Sequence, residues 1–403
     1  MKTQKAYKFR FYPTQEQEKR LSVEFGNARF IWNHALSMRT KAYKRRKENM
    51  NYVSLNKHVT KLKKTSRYDW ISQSTACVLT QKLIDLDTAF KNFFSGRASY
   101  PKFKKKLHAQ SVRYQLDQRQ IDRTYEAGEF LKLPKLGEIN IRWSQIPQGT
   151  PKMATVSKTA TGKYFVSFAC EVEVMEKAKT GLMIGVDIGI KDVVVTSDGW
   201  FSGSPKYTYQ YQRKLKKEQR KLSRKTKGSN RWNKQRLVVA KIHEKITNSR
   251  KDFLHKLTTK LIQEHDVIAI EDLNVKGMVK NRKLSKAVSD IGMFELKRQL
   301  EYKANWYGKT IIQIDRWFPS TKTCSDCGQI HNMKLSDRTM NCDCGFSLDR
   351  DWNAAINIKA AGNVVLARGG SNQLIGEAKA SQNKGLLKRE NQKQHKACME
   401  QAA

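Results

Sequence analysis

The sequence predicts a multidomain α/β protein that also contains a β-barrel and a helical part. Three patterns along the chain predict it: apolar residues at helical spacing in the first quarter, alternation with a period of two in the middle, and near-continuous apolar runs after residue 182. A chain of 403 residues exceeds what one hydrophobic core normally organises. We therefore expect two or three folded units.

The amino-terminal quarter is predicted to begin with a strand and to continue as helix. Residues 7–11 alternate aromatic and basic side chains, which is typical of a strand with one apolar face, and Pro13 ends it. Thr14 and Gln17 then form the Ser/Thr-x-x-Glu/Gln pattern of a helix capping box. Apolar residues at helical spacing predict a helical unit over residues 14–95, with its aromatic side chains in the core.

The middle of the chain is predicted to form an antiparallel sheet or a small barrel over residues 111 to about 175. Tyr164, Val166 and Phe168 alternate there after a turn signal, and we expect the first strand to pair into this sheet. Farther on, the apolar runs are residues 183–186, 193–195, 267–270 and 311–314. Such runs are buried on both faces, as the strands of an α/β sheet are.

The net charge predicts a polyanionic partner. Lys and Arg number 78 against 37 Asp and Glu, a net charge of +41, whereas a small domain needs a net charge of only about 2 to 8 for solubility. Anionic membrane is disfavoured, since the chain has no 18-residue apolar run and no amphipathic anchor. Residues 1–10 lack the apolar core of a secretory signal. We therefore expect a cytoplasmic protein that binds nucleic acid and no membrane.

The densest charge lies in residues 213–250, which hold fifteen Lys or Arg and two Glu. Gly228 to Asn230 divide this segment into a predicted helix pair. So many cations repel one another unless a polyanion neutralises them, which favours nucleic-acid contact over a solvated surface hairpin. The predicted contact residues are Lys216, Lys217, Arg220 and Lys221.

Four of the seven cysteines are clustered within 21 residues, with the spacing of a zinc ribbon. The clustered residues are Cys324, Cys327, Cys342 and Cys344, and the scattered ones are Cys77, Cys170 and Cys398. Four thiolates complete a tetrahedral structural Zn²⁺ and leave no open position for chemistry. A redox Cys-x-x-Cys is the alternative, but no partner motif for it is present.

Three acidic residues occupy positions typical of a metal-dependent nuclease. Asp187 ends an apolar run, Glu271 follows another, and Asp351 lies at the start of the helix after the cysteine knuckles. Converging buried carboxylates need cations, and two Mg²⁺ ions about 3.5 to 4 Å apart can hydrolyse a phosphodiester. Each residue alone could be an ordinary turn or helix-capping residue. Asp349 is the main alternative for the third position.

Several motifs together resemble the TnpB family of insertion-sequence proteins. They are Gly-Val-Asp-Ile-Gly-Ile-Lys-Asp around Asp187, Ile-Glu-Asp-Leu-Asn at Glu271, the paired cysteine knuckles, and Asp-Arg-Asp-Trp-Asn-Ala-Ala at Asp351. Tyr-Lys-Phe-Arg-Phe-Tyr-Pro near the start and Ala-Arg-Phe-Ile-Trp-Asn-His at residues 28–34 resemble the amino-terminal half of the family. The resemblance covers roughly residues 5–362, and the combination is more specific than any one motif.

The resemblance implies an RNA-guided DNA endonuclease, related to type V CRISPR nucleases, that carries a guide RNA and cleaves target DNA beside a short flanking motif. It implies that Asp187, Glu271 and Asp351 are catalytic and bind Mg²⁺, in a RuvC-like nuclease domain of the RNase H fold that carries the zinc ribbon. The implied domains are a wedge-like β-barrel (1–13 and 111–180), a helical recognition domain (14–110), the RuvC-like domain (181–320 and 348–362) and the ribbon (321–347). The remaining residues, 363–403, are polar and lack periodicity, which predicts a disordered tail.

Two other functions are open on the sequence. A nuclease-inactive, guide-directed DNA-binding repressor would keep the same scaffold, although the three carboxylates disfavour it. A transposase that acts by DNA strand transfer would share the carboxylate chemistry. No insertion of the HNH kind is visible, which disfavours the IscB and Cas9 architecture. The single residue between Cys342 and Cys344, where the family more often has two, leaves the ribbon geometry open. We expect a monomer.

Overall fold

The computed structural model describes residues 2–107, 110–116, 130–174, 176–334 and 336–369. The chain divides into two compact units, one ending at residue 173 and the other beginning at residue 174. Across the described ranges, no helix is both long and apolar enough to cross a membrane.

The first unit contains an antiparallel sheet. Its described strands are β1 (Lys2–Phe11), β2 (Gln110–Gln115), β3 (Phe130–Leu133), β4 (Gly137–Arg142), β5 (Thr150–Lys158) and β6 (Tyr164–Glu173), in the spatial order β2-β5-β6-β1-β4-β3. β1 pairs with β6 along its whole length, so the predicted pairing of the first strand is confirmed. Tyr7, Phe9 and Phe11 are buried as the alternation predicted. Closure of this sheet into a barrel stays a prediction.

Helices make up the rest of the first unit. They are α1 (Gln15–Arg46), α2 (Tyr52–Leu62), a 3₁₀ helix (Ser66–Gln73) and α3 (Ala76–Phe94). The capping box is confirmed, because the Thr14 hydroxyl accepts from the Gln17 N–H and the Gln17 side chain accepts from the Thr14 N–H. Aromatic and aliphatic side chains of α1 and α3, among them Trp32, Leu83 and Phe90, form a shared hydrophobic core.

The second unit is built on a four-stranded mixed sheet. Its strands are β7 (Met183–Asp187), β8 (Val195–Thr196), β9 (Val267–Glu271) and β10 (Thr310–Ile314), in the order β10-β9-β7-β8. β7, β9 and β10 are parallel, as the buried apolar runs predicted. The run 193–195 is not a further strand of this kind: β8 is short and antiparallel to β7. The seven residues between β7 and β8 are too few for a parallel crossover, which needs a dozen or more.

Helices make up most of the rest of the second unit. They are α4 (Tyr207–Ser223), α5 (Asn230–Glu264), α6 (Val275–Lys280), α7 (Ser285–Ile291), α8 (Met293–Tyr307) and α9 (Arg350–Ala367), with a hairpin of β11 (Thr339–Asn341) and β12 (Ser347–Asp349) before α9. The predicted break in the basic helix pair is confirmed, since α5 begins after Ser229, whose side chain caps it.

The predicted start of the disordered tail, residue 363, is wrong, because these first residues are helical. Helix α9 continues through Gly362 to Ala367, because Val365 still packs against the apolar core beside Ile312 and Ile358. The rest of the predicted tail, residues 370–403, lies outside the described residues.

Candidate active site and metal centre

The sheet of the second unit brings two of the three predicted carboxylates to one edge. Asp187 is the last residue of β7 and Glu271 the last residue of β9. These strands are parallel neighbours, with Val186 opposite Ile270, so both carboxylates emerge at the carboxyl-terminal edge of the sheet. Ligands commonly bind at this edge of an α/β sheet. Asp351 joins them from the first turn of α9, which packs on β7.

The electrostatics of Asp187 show that the three carboxylates interact. Asp187 is only 9% exposed, and this burial is the largest cause that raises the pKa of its carboxyl group, to about 8. The charges of Glu271 and Asp351 raise that pKa as well, while the Arg350 guanidinium opposes them. Burial also raises the pKa of Glu271. A buried carboxylate whose ionisation is opposed by two neighbouring acidic groups is typical of a functional site rather than of a stabilising core.

Two side chains that the sequence did not single out contact these carboxylates. The Ser320 hydroxyl donates a hydrogen bond to Glu271 Oε1, which opposes the rise in the Glu271 pKa. The Arg350 guanidinium lies 3.4 Å from Asp351 Oδ1. Arg350 precedes Asp351 directly, so adjacency was an available signal. Ser320 lies 49 residues from Glu271, and no local pattern marks it.

Asp349 has a different role from Asp351 in this structure. Its carboxylate accepts hydrogen bonds from the backbone N–H groups of Asp351, at 2.9 Å, and Trp352, at 3.3 Å. Asp349 is therefore the N-cap of α9, the position where a side-chain oxygen satisfies the free N–H groups of the first turn. Lys191 Nζ lies 3.9 Å from the other side of this carboxylate.

A glycine allows α9 to lie close to β7. A Cβ atom at Gly185 would lie 2.2 Å from the carbonyl oxygen of Ala355 and 2.5 Å from the backbone nitrogen of Lys359. Both partners are backbone atoms of α9 and cannot move aside alone. The short distance between the strand that carries Asp187 and the helix that carries Asp351 therefore requires a glycine, which has no side chain, at position 185.

The donor set fits a hard divalent cation. All three groups are carboxylates, and Mg²⁺ prefers oxygen ligands. The three side chains could therefore hold such an ion when they are ionised.

The four predicted cysteines converge and could hold a metal ion such as zinc. Their sulfur atoms all lie within 4.8 Å of one another, with Cys324 and Cys344 3.9 Å apart and Cys327 and Cys342 3.4 Å apart. Four sulfurs 2.3 Å from one Zn²⁺ would be separated by about 3.8 Å at the corners of a tetrahedron. The single residue between Cys342 and Cys344 therefore does not prevent convergence.

Each cysteine knuckle closes in the same way. Gly328 N–H donates to the Cys324 carbonyl oxygen and Gly345 N–H donates to the Cys342 carbonyl oxygen, both at 3.0 Å. The two glycines have φ of +79° and +90°, the left-handed region that side chains other than glycine rarely adopt. The turns thus point both sulfurs of each knuckle to one side.

A histidine beside the cluster was missed on the sequence. His331 Nε2 lies 3.1 Å from Cys342 Sγ, within reach of an N–H···S hydrogen bond. Donors of this kind orient metal ligands and tune their basicity. The available signal was its position four residues after Cys327.

The predicted basic contact residues lie on an open helix face. Lys216, Lys217, Arg220 and Lys221 are all exposed on α4, which has no buried residue. Lys221 Nζ pairs with Glu218 at 3.0 Å. The remaining positive charge faces solvent and is available to phosphate groups.

Family comparisons match three parts of the chain. A family described as "Probable transposase" (OrfB_IS605) matches residues 167–282, and one described as "Cas12f1-like, TNB domain" matches residues 294–358. A family described as a helix-turn-helix domain matches residues 1–48, which here form β1, α1 and the residues that flank α1. The first two families cover the strands, helices and cysteines that build the candidate site.

Two of the relatives match the chain over about nine-tenths of its length. A "Putative RNA-guided DNA endonuclease" of Streptomyces pristinaespiralis is 41% identical over 369 residues, 91% of each chain. The protein of the same description called InsQ, from Escherichia coli K12, is 34% identical over 92% of this chain and 95% of its own. A "TnpB-like protein L79" of Acanthamoeba polyphaga mimivirus is 30% identical over 31% of this chain and 25% of its own.

Among solved structures, the Cas12f1 chain in a complex with sgRNA and target DNA shares the fold, with a TM-score of 0.54 and 14% identity over 89% of this chain and 99% of that one. The fold alone would allow many functions. The extended identity to the relatives is more specific, and with the motifs around Asp187, Glu271, Asp351 and the cysteines it shows that the chain belongs to the TnpB family of insertion-sequence proteins.

Proposed function

We propose that this protein is an RNA-guided DNA endonuclease that hydrolyses phosphodiester bonds with Mg²⁺ held by Asp187, Glu271 and Asp351. The observation that carries the proposal is the convergence of these carboxylates from two neighbouring strand ends and a helix amino terminus. The arrangement supports a RuvC-like domain formed by residues 181–320 and 348–362, with the ribbon, residues 321–347, inserted before α9.

Residues of the chain make this site favourable for binding cations. Asp187 is buried beside two other carboxylates, so its ionised form is unstable until positive charge arrives. Ser320 holds one oxygen of Glu271, which fixes that carboxylate in place. When bound, two Mg²⁺ ions would activate a water molecule and stabilise the leaving oxygen of the phosphodiester.

Guide RNA and target DNA are the proposed partners. Two relatives that match more than nine-tenths of the chain carry the name "Putative RNA-guided DNA endonuclease", and the Cas12f1 structure with the same fold contains an sgRNA and target DNA. The net charge of +41 supports contact with both polyanions. We further propose that the target is recognised beside a short flanking motif.

The four cysteines are proposed to bind a structural Zn²⁺. Four thiolates fill the tetrahedral coordination shell, which leaves no position for a substrate or for activated water. The bound ion would stabilise a segment whose own strands, β11 and β12, are only three residues each.

A cleavage assay tests the proposed function. The full chain would be purified with the RNA that accompanies it, that RNA sequenced, and its variable end replaced by a chosen guide. Plasmids that carry the matching target beside randomised flanking sequence would be incubated with Mg²⁺. We expect cleavage beside one flanking motif, lost with EDTA or in Asp187→Ala. Stable RNA-directed binding of the target without any cleavage would instead favour the nuclease-inactive repressor.

A further inference from the structure

The second unit contains a cavity of about 530 Å³ that none of the proposed roles explains. This volume lies within the range of small-ligand sites, which are mostly apolar with a few polar groups. Its apolar lining includes Ile190, Val193, Phe253 and Ile291, and two tyrosines, Tyr207 and Tyr209, stand at its side. Such walls suit a flat aromatic ring.

Exposed lysines surround the cavity. Lys206, Lys283 and Lys286 line it, and all three are exposed. The acidic residue that lines it, Asp290, already accepts hydrogen bonds from Thr208 and, at 2.9 Å, from Arg250. The lining therefore carries a surplus of positive charge, which suits a ligand with a ring and a phosphate.

The backbone at Lys206 is in an unusual conformation. Its φ of 48° lies in the left-handed region, which is uncommon for a residue other than glycine. The Lys206 carbonyl accepts from the N–H groups of Tyr209 and Gln210, and Lys206 is the N-cap residue that precedes α4 at the edge of the cavity. Such conformations persist where the surrounding structure enforces them and are concentrated at functional sites.

One loop connects the cavity with the candidate active site. Ile190 lines the cavity and is three residues after Asp187, so their Cα atoms can be separated by roughly 11 Å at most. The next residue, Lys191, lies 3.9 Å from Asp349, the residue that caps the helix carrying Asp351. The cavity is therefore lined by one end of a short loop that begins at Asp187.

From this placement we propose that the cavity binds a single unstacked base of the DNA strand that enters the active site. The base would lie against Tyr209 and the apolar walls, while the lysines contact the neighbouring phosphates. Stacking on an aromatic side chain tolerates every base, so the cavity would fix the position of the cut rather than read sequence. This inference rests on the proposed nuclease function and adds a substrate-positioning site to it.

The first experiment measures binding and needs no cleavage. The full chain carrying Asp187→Ala, with its RNA, would receive single-stranded DNA targets that contain 2-aminopurine at each successive position. Pairing with the guide changes the fluorescence at every paired position, but at one or two positions we expect a further change that is lost in Tyr209→Ala and in Ala287→Phe, which fills the cavity. Phe294→Ala removes an aromatic side chain that is 69% exposed and does not line the cavity, and it should keep the signal.

The second experiment measures cleavage of the same targets with an abasic site at each position. Removing the bound base should slow cleavage about tenfold, the size of one stacking interaction. Tyr209→Ala should slow cleavage of intact DNA by a similar factor, and the two changes together should be no worse than either. The proposal would be overturned if abasic sites slowed cleavage equally at every position, or if the effects of Tyr209→Ala and of the abasic site on the cleavage rate multiplied. It would also be overturned if Tyr209→Ala left the 2-aminopurine fluorescence unchanged. If no target is cut, the proposed nuclease function is wrong, but the fluorescence experiment still tests whether the cavity binds a base.

Discussion

The Asp349 carboxylate accepts a hydrogen bond from the backbone N–H of Asp351 at 2.9 Å. This contact assigns different tasks to two acidic residues that the sequence left as alternatives. Asp349 caps α9, whereas Asp351 influences the ionisation of Asp187. The position of the cap also fixes the first turn of the helix, and with it the direction of the Asp351 side chain.

Substitution of these two residues should therefore have different effects. Asp351→Ala should reduce cleavage by about a thousandfold or more, because the loss of one metal ligand removes several kcal/mol of transition-state stabilisation. Target binding should change little, since dispersed phosphate contacts carry it. Asp349→Ala should lower the free energy of unfolding by about 1 kcal/mol and keep most activity, and Asp349→Asn, which can still cap, should lose less.

Cleavage rates, target binding and denaturant melts on the four proteins provide the measurements. The assignment of Asp351 would be wrong if its alanine variant cut normally while Asp349→Ala was inactive.

The buried Asp187 should destabilise the metal-free protein. Its pKa is raised to about 8 in the folded chain, from about 3.9 when unfolded. Between these values the folded protein binds more protons, so the free energy of unfolding should fall as the pH rises from about 4 to 8. Asp187→Asn should remove that pH dependence and raise stability in EDTA at pH 7 by on the order of 1 to 3 kcal/mol.

Mg²⁺ should reverse the order of stability of the wild-type protein and Asp187→Asn. It binds the ionised carboxylate, so it should stabilise the wild-type protein and have little effect on Asp187→Asn. Thermal melts with EDTA and with Mg²⁺ at several pH values would measure both effects. Equal stability of the two proteins at every pH would contradict a buried, cation-dependent Asp187.

Local patterns predicted the elements of the site better than their partners. The strand ends at Asp187 and Glu271 follow from apolar runs that must be buried, and the cysteine cluster follows from spacing alone. The contact between Ser320 and Glu271 could not be predicted, because it depends on where a loop after β10 crosses the sheet edge. Similarly, the apolar run at 193–195 has the composition of a buried strand, and only the short connection makes it a hairpin.

The cysteine cluster should depend on zinc. Purified protein should contain about one Zn²⁺ per chain, and Cys327→Ser should lose it and melt at a lower temperature, because in a segment this small the binding energy of the metal is folding energy. Cys77→Ser is the matched control, since Cys77 lies outside the cluster in the first unit. Metal analysis with melting curves would test this, and an unchanged zinc content in Cys327→Ser would rule out the assignment.

The exposed cations of α4 should contribute to nucleic-acid affinity through phosphate contacts. Replacing Lys216, Lys217, Arg220 and Lys221 by Ala should weaken RNA or heteroduplex binding and flatten its salt dependence. Each lost contact lowers the slope of log K against log salt by about 0.7 to 0.9. Exchanging Lys for Arg and Arg for Lys at the same positions conserves charge and should keep the slope. If the alanine variant keeps the wild-type slope, this helix face is only solvated.

The approach of α9 to β7 should be sensitive to a single methyl group. In Gly185→Ala the added Cβ would meet the Ala355 carbonyl oxygen at 2.2 Å, and neither backbone segment can yield alone. We expect a loss of stability of about 1 to 3 kcal/mol, as for other overpacked cores. The displacement would separate Asp351 from Asp187, so cleavage should fall even where the protein is fully folded.

Gly26→Ala is the matched control. This glycine lies in α1, and its added Cβ would come no closer than 3.9 Å to the Arg29 side chain. The change should stabilise the protein by about 0.5 to 1 kcal/mol. Melting curves and cleavage rates at a temperature where both variants are folded would separate stability from site geometry. Wild-type cleavage by folded Gly185→Ala would show that the distance between strand and helix does not set the catalytic arrangement.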